Sequence, residues 1–200
     1  MPLGRPRAFD IEDALDRALR VFWEKGYEGT SLSDLTQAMG INRPSLYAAF
    51  GNKEALFRRV LARYADGPAA YTHEALDAPT ARAVVERLLR GAIEVTTDPL
   101  TPRGCLMVQG ALACGESATV IRRALVAHRA AGEAALRQRL EWARAVGDLP
   151  ADADPADLAR YVTVVVYGIA VQAAGGASRE ELQGVAETAL RAWPTSDEVP

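Results

Sequence analysis

Cysteine and histidine are nearly missing from this chain, which has two of each: Cys105, Cys114, His73 and His128. Two cysteines cannot form a disulfide framework, and a spacing of nine residues matches no zinc pattern. On a single helix they would face opposite ways, about 13 Å apart along the axis, out of disulfide reach. A reducing compartment follows as the expectation. Neither histidine has an acidic residue three positions before it, so the pair reads as structural or exposed. There is no Gly-rich phosphate loop, no G-x-S-x-G, no H-E-x-x-H and no Glu-x-x-His pair for a di-iron bundle. The common enzyme inventories are therefore excluded, and neither a cofactor nor a metal is expected. Long hydrophobic runs are absent too. The apolar stretch Tyr161–Val171 has eleven residues, short of the roughly 20 that span a bilayer. The opening MPLGRPRAFD carries basic residues with no apolar segment behind them, so no secretory signal is read, no membrane partner is expected and a cytoplasmic location is.

What is present is an ordinary globular balance: 49 % apolar and 24 % charged over 200 residues, enough for one large domain or two smaller ones. The net charge of −3 hides an asymmetry. Residues 1–65 hold ten Lys/Arg against eight Asp/Glu, and the rest hold thirteen against eighteen. Most acids of the first part precede residue 35, so the segment containing Arg43 and Lys53 is locally positive, which permits a nucleic-acid partner without requiring one.

Helical periodicity runs the length of the chain, with no alternating strand pattern and no internal repeat. Ile11, Leu15, Leu19 and Phe22 form one stripe, with Asp10 as cap and Gly26 as terminator. Ser31 and Asp34 make a capping box for Leu32–Met39, closed by Gly40. Asn42 caps Arg43–Phe50 through the N–H of Ser45, because Pro44 has none to offer. Gly51-Asn52 then starts Lys53–Ala65. Beyond a looser stretch after Pro68, further helices are expected over Ala81–Thr96, Cys105–Cys114, Ala118–Val146, Pro155–Ala174 and Arg179–Trp193. The expected fold is all-α, with about nine helices.

Residues 31–50 carry the first functional content. Two short helices joined at a glycine, with a longer one ahead, have the arithmetic of a helix-turn-helix. Arg43–Phe50 would be about 12 Å long, the width of a major groove. Leu46 and Phe50 would pack inward, leaving Arg43, Pro44, Ser45, Tyr47 and Ala48 outward. This face has no acid, as a phosphate-lined groove tolerates. An αα-corner of an ordinary helical protein has the same spacing.

The run from Phe9 to Leu61 resembles the DNA-binding domain of the TetR/AcrR family of bacterial transcriptional regulators. The shared features are Phe22-Trp23, Gly26-Tyr27, Thr30-Ser31, Leu35, Gly40-Ile41, Ser45-Leu46-Tyr47, Phe50-Gly51, Lys53-Glu54 and Leu56. The resemblance implies an N-terminal three-helix reader over residues 1–52, a connecting helix 53–65, and a ligand-binding and dimerisation domain over 66–200. It further implies a homodimer on a palindromic double-stranded operator, most simply a repressor released by a small-molecule effector. Carried over to this chain, Thr30 and Ser31 hold phosphates, Arg43, Pro44 and Ser45 lie in the major groove, Tyr47 braces a phosphate, and Lys53 meets the DNA backbone at a helix start. A plain helix cap also accounts for Ser31. Pro44 departs from the small or polar residue usual there and removes a backbone donor, so base reading rests on Arg43 and its neighbours. Arg5 and Arg7 form a basic arm or a solvated tail. An architectural DNA binder is the competing class, but it would be more basic and would not need so large an acidic helical portion.

The same resemblance pairs the helices 155–174 and 179–193 with their copies in a two-fold interface; alone, the apolar run Tyr161–Val171 also fits the central helix of a monomer core. Candidate ligand-contacting residues are Cys105, Met107, Val108 and Gln109, with Tyr161 and Tyr167 as polar tips in apolar settings; all six fit plain core positions as well. Cys105 follows Arg103 near a helix start, both of which favour a thiolate, so thiol-based sensing of an oxidant or electrophile is an alternative.

Overall fold

The computed structural model describes residues 9–112 and 118–194. Among them every regular element is helical: α1 (Ile11–Gly29), α2 (Leu32–Met39), α3 (Arg43–Phe50), α4 (Lys53–Asp66), α5 (Tyr71–Glu74), α6 (Ala81–Thr97), α7 (Leu106–Leu112), α8 (Thr119–Ala145), α9 (Pro155–Ala174) and α10 (Arg179–Arg191), with a 3-10 turn at Ala75–Asp77. The all-α expectation holds, with ten helices where about nine were expected. The extra one is α5, in the stretch read as loose. No apolar stripe encodes its single turn; contact with α6 supports it, where Gly91 leaves the room a Cβ would take from the Tyr71 ring.

Local signals explain most boundaries. The Asp10 carboxylate accepts from the N–H groups of Glu12 and Asp13. Capping boxes open α2 (Ser31, Asp34) and α10 (Ser178, Glu181). Asn42 accepts from the Ser45 N–H at 2.9 Å and Asn52 from that of Ala55 at 2.8 Å, satisfying donors that a helix start leaves orphaned. Gly26 does not end α1 outright. At φ 70° and ψ 176° it breaks the helical path, and one further turn reaches Gly29.

Two apolar clusters organise the helices. The first joins α1–α4 through Phe22, Trp23, Leu35, Leu46, Phe57 and Tyr64, and continues into Leu106 and Met107 of α7 and Ile121 and Leu125 of α8. The second holds α6, the C-terminal half of α8, α9 and α10 around Leu89, Leu140, Val162, Ile169 and Trp193. Each buried aliphatic or aromatic side chain contributes on the order of 1.5–3 kcal/mol, so the shared cluster ties α7 and the start of α8 to the N-terminal helices. The Trp23 indole N–H donates to the buried Gly104 carbonyl at 3.0 Å, and Trp23 meets Tyr64 edge-to-face, with ring centroids 4.8 Å apart. Among the described residues no helix is long and apolar enough to cross a membrane.

Candidate nucleic-acid interface and internal cavity

Helix α3 lies against its neighbours by one face only. Leu46 and Phe50 are buried, while Arg43, Pro44, Tyr47 (48 % exposed) and Ala48 face outward and Ser45 is half-buried. Arg43 donates from Nη2 to the Ser33 hydroxyl of α2 at 3.2 Å. A brace that local sequence reading missed comes from α4. Arg59 Nη1 donates to the Ala49 carbonyl at 3.3 Å, and its guanidinium sits 4.8 Å above the Phe50 ring. It fastens the C-terminal end of α3, where carbonyls lack helical partners; no spacing rule links two such positions on different helices.

The residues read as phosphate contacts occupy different settings. Thr30 is only 1 % exposed, and its hydroxyl donates to the Gly26 carbonyl at 2.6 Å. This side chain closes the turn after α1 and does not face solvent, because the break at Gly26 frees a carbonyl that needs a donor. Ser31 is exposed; its hydroxyl donates to Asp34 Oδ2 at 2.6 Å and accepts from the Asp34 N–H at 3.0 Å. The Lys25 ammonium lies 2.7 Å from Asp34 and, with Ser31, holds that carboxyl well below the usual range. Lys53 opens α4 with its ammonium 4.4 Å over the Tyr27 ring. Partial burial lowers its pKa against the opposing pull of Glu28 and Asp34. Arg5 and Arg7 lie outside the described residues.

A cavity of about 320 Å³ lies where α4, α5, α6, α7, α8 and α9 converge. Cys105, Met107, Val108 and Tyr167 line it. Gln109 and Tyr161 do not. The Gln109 amide packs beside Gly104, facing an outer groove with Trp23 and Arg103, since residues 107 and 109 point to different sides of α7. Tyr161 is 40 % exposed, on the outside of α9. Tyr64, Tyr71 and Arg129 also line the cavity, as do His73 and His128, both exposed. Each of these lies far in sequence from the 104–110 segment, so only folding reveals the grouping. The Tyr64 hydroxyl donates to Cys105 Sγ at 3.4 Å. Burial raises the Tyr64 and Tyr71 hydroxyls, and it pushes Tyr167 up to about 12, so all three are neutral donors at physiological pH. Arg103 donates to the Ala177 carbonyl at 3.4 Å, reaching toward the α9–α10 loop, not toward the thiol beside it in sequence. Cys114 lies outside the described residues.

This architecture is shared with proteins of known class. Residues 14–60 match the family described as bacterial regulatory proteins, tetR family, and residues 81–189 match the tetracyclin repressor-like C-terminal domain. The HTH-type transcriptional repressor ComR of Escherichia coli K12 is 38 % identical over 194 residues, 96 % of this chain and 92 % of that one. A cysteine mutant of the TetR family regulator CifR, solved with 26-base-pair double-strand operator DNA, is 48 % identical, with a TM-score of 0.91 over 95 % of this chain and 100 % of that one. A TetR-family regulator from Streptomyces coelicolor, 21 % identical over 90 % and 93 % of the two chains, shares the fold at a TM-score of 0.75. With both halves matched and near-complete relatives at these identities, the chain belongs to the tetR family of bacterial regulatory proteins.

Proposed function

We propose that this protein is a homodimeric transcriptional repressor of the cytoplasm that binds a palindromic double-stranded operator and leaves it when a small molecule fills the α4–α9 cavity. The observation that carries the reading is the presentation of α3: two buried anchors, an outward face of Arg43, Pro44 and Tyr47 without an acid, and a brace from Arg59 at its far end. The operator complex of CifR, a relative of nearly equal length, supports it. On this reading residues 1–52 are the reader, 53–65 connect, and 66–200 bind the effector and the second copy. Arg43 and Ser45 face base edges, Tyr47 and Lys53 meet the backbone, and Ser31 keeps its cap on the Asp34 N–H while turning its hydroxyl proton from the Asp34 carboxylate to a phosphate on binding. An architectural binder would have no use for the cavity.

Helix α4 supplies the coupling. Lys53 at its start meets the operator backbone and Tyr64, about 17 Å along the axis, belongs to the cavity wall. A ligand that prefers one placement of Tyr64 shifts this rod and with it the separation of two α3 helices whose targets are spaced by DNA geometry.

The test is fluorescence anisotropy on a duplex selected by the protein itself from a random library. Arg43→Ala is expected to lower affinity for that duplex by about tenfold to a hundredfold, the value of one good base contact, with the thermal midpoint unchanged. Unchanged binding by the variant refutes the placement of α3 in the groove.

A further inference from the structure

The cavity wall holds a half-buried cation that has no counterion among the described residues. Arg129, on α8, has a fully buried Nε with no hydrogen-bond partner, and its guanidinium lies 5.7 Å from the Tyr167 ring centroid. A carboxylate one turn along, Glu133, has the right spacing to pair with it, but Arg160 of α9 holds that group at 2.9 Å. Another arginine with a buried unpartnered nitrogen, Arg139, is tied down through Nε and Nη2 to the carbonyls of Leu76 and Ala78; Arg129 has no such tether among the described residues. The acid in the cavity lining, Asp66, is exposed at the end of α4. The hydroxyls of Tyr71 and Tyr167 make no hydrogen bond to another described residue. Thr72, His73, Thr96 and His128 also reach the wall, and its apolar part is formed by Val95, Met107, Val108 and Val166.

A buried N–H donor without an acceptor is costly, and a charged one more so. The group that satisfies a guanidinium and neighbouring neutral hydroxyls together, and leaves no charge unbalanced, is an anion with several acceptor oxygens. We propose that the effector is an organic carboxylate, its head group held by Arg129 and the hydroxyls of Tyr71 and Tyr167, its apolar body packed among Val95, Met107, Val108 and Val166. This deepens the effector reading above and rests on it. The cavity volume suits a body of about ten heavy atoms. Tyr64 then passes occupancy to Trp23 and α1 through their edge-to-face contact.

Titration calorimetry on the full chain with octanoate against octanamide, and 4-phenylbutyrate against 4-phenylbutyramide, tests this. At least one acid is expected to bind about tenfold to a hundredfold more tightly than its amide, the value of a charge-assisted hydrogen bond. Arg129→Gln is expected to erase that preference and Arg122→Gln, an exposed change on the same helix, to preserve it, both variants keeping the wild-type helical spectrum. Amides that bind as well as acids, a preference that survives Arg129→Gln, or no binding of either acid at about 10 mM, well above the millimolar range of weak ligands, overturns the assignment. Anisotropy on the selected duplex separates the two levels. Failure to bind DNA without ligand sinks the regulator reading, whereas a duplex released by an amide and ignored by its acid sinks only the carboxylate.

Discussion

Gly104 concentrates several demands on one residue. Its φ of +86° is a left-handed conformation, a Cβ there would come within 2.7 Å of the Gln109 amide and 3.0 Å of Ala174, and its carbonyl accepts the Trp23 indole. Gly104→Ala is therefore expected to destabilise the fold by about 1–3 kcal/mol, from backbone strain and crowding combined, as read from urea unfolding. Since Trp23 belongs to α1 and Cys105 to the cavity wall, the same variant should also weaken effector-induced release. Thr30 and Ser31 show how neighbours diverge. One hydroxyl is spent on a carbonyl freed by the break at Gly26, the other remains at the surface as a cap.

At the scale of elements, α3 is short, eight residues with only two buried anchors. About two turns of helix have little stability of their own, so its orientation depends on what holds its ends. Asn42 holds the start, and Arg59 of α4 holds the finish. Arg59→Gln is expected to leave the global unfolding midpoint nearly unchanged and to weaken operator binding several-fold, on the order of the 0.5–1.5 kcal/mol of a single hydrogen bond; hydrogen exchange should rise in α3 alone. An unaltered exchange pattern would mean that the brace is redundant. Helix α4 is thus more than a linker, since it steadies the reading helix, opens with Lys53 and ends in the cavity wall.

The whole molecule leaves apolar surface that one chain does not cover. On α9, Val164 is 63 % and Val171 45 % exposed, and Val185 on α10 is 47 % exposed. A run as apolar as Tyr161–Val171 needs cover on more than one side, and its own chain covers Val162, Ile169 and Ala170. A second copy on the outward side is the proposed remainder. Val164→Glu is expected to give a monomer in sedimentation velocity, with an unfolding midpoint that no longer depends on concentration. Operator affinity should fall at least about tenfold, because two linked half-site contacts become one. A dimer that survives the substitution would exclude this face from the interface.

Much was legible without coordinates, and for a local reason. Capping residues, left-handed glycines and the period of apolar side chains act within four or five positions, so the helices α1–α4 and α6–α10 and the outward face of α3 follow from the order of residues alone. The exceptions are α5, whose single turn exists only against α6, and the extra turn of α1 beyond Gly26. The cavity was legible in part. Cys105, Met107 and Val108 sit in a visibly apolar segment, but nothing in the sequence separates Met107, which faces inward, from Gln109, which does not. Tyr64, Tyr71, Arg129 and Tyr167 come together from four helices, and whether a charge such as Arg129 finds a partner depends on Arg160 having already taken Glu133. Periodicity specifies which side of a helix is apolar; which helices meet, and what their polar groups then lack, is decided only when long-range packing closes the chain on itself.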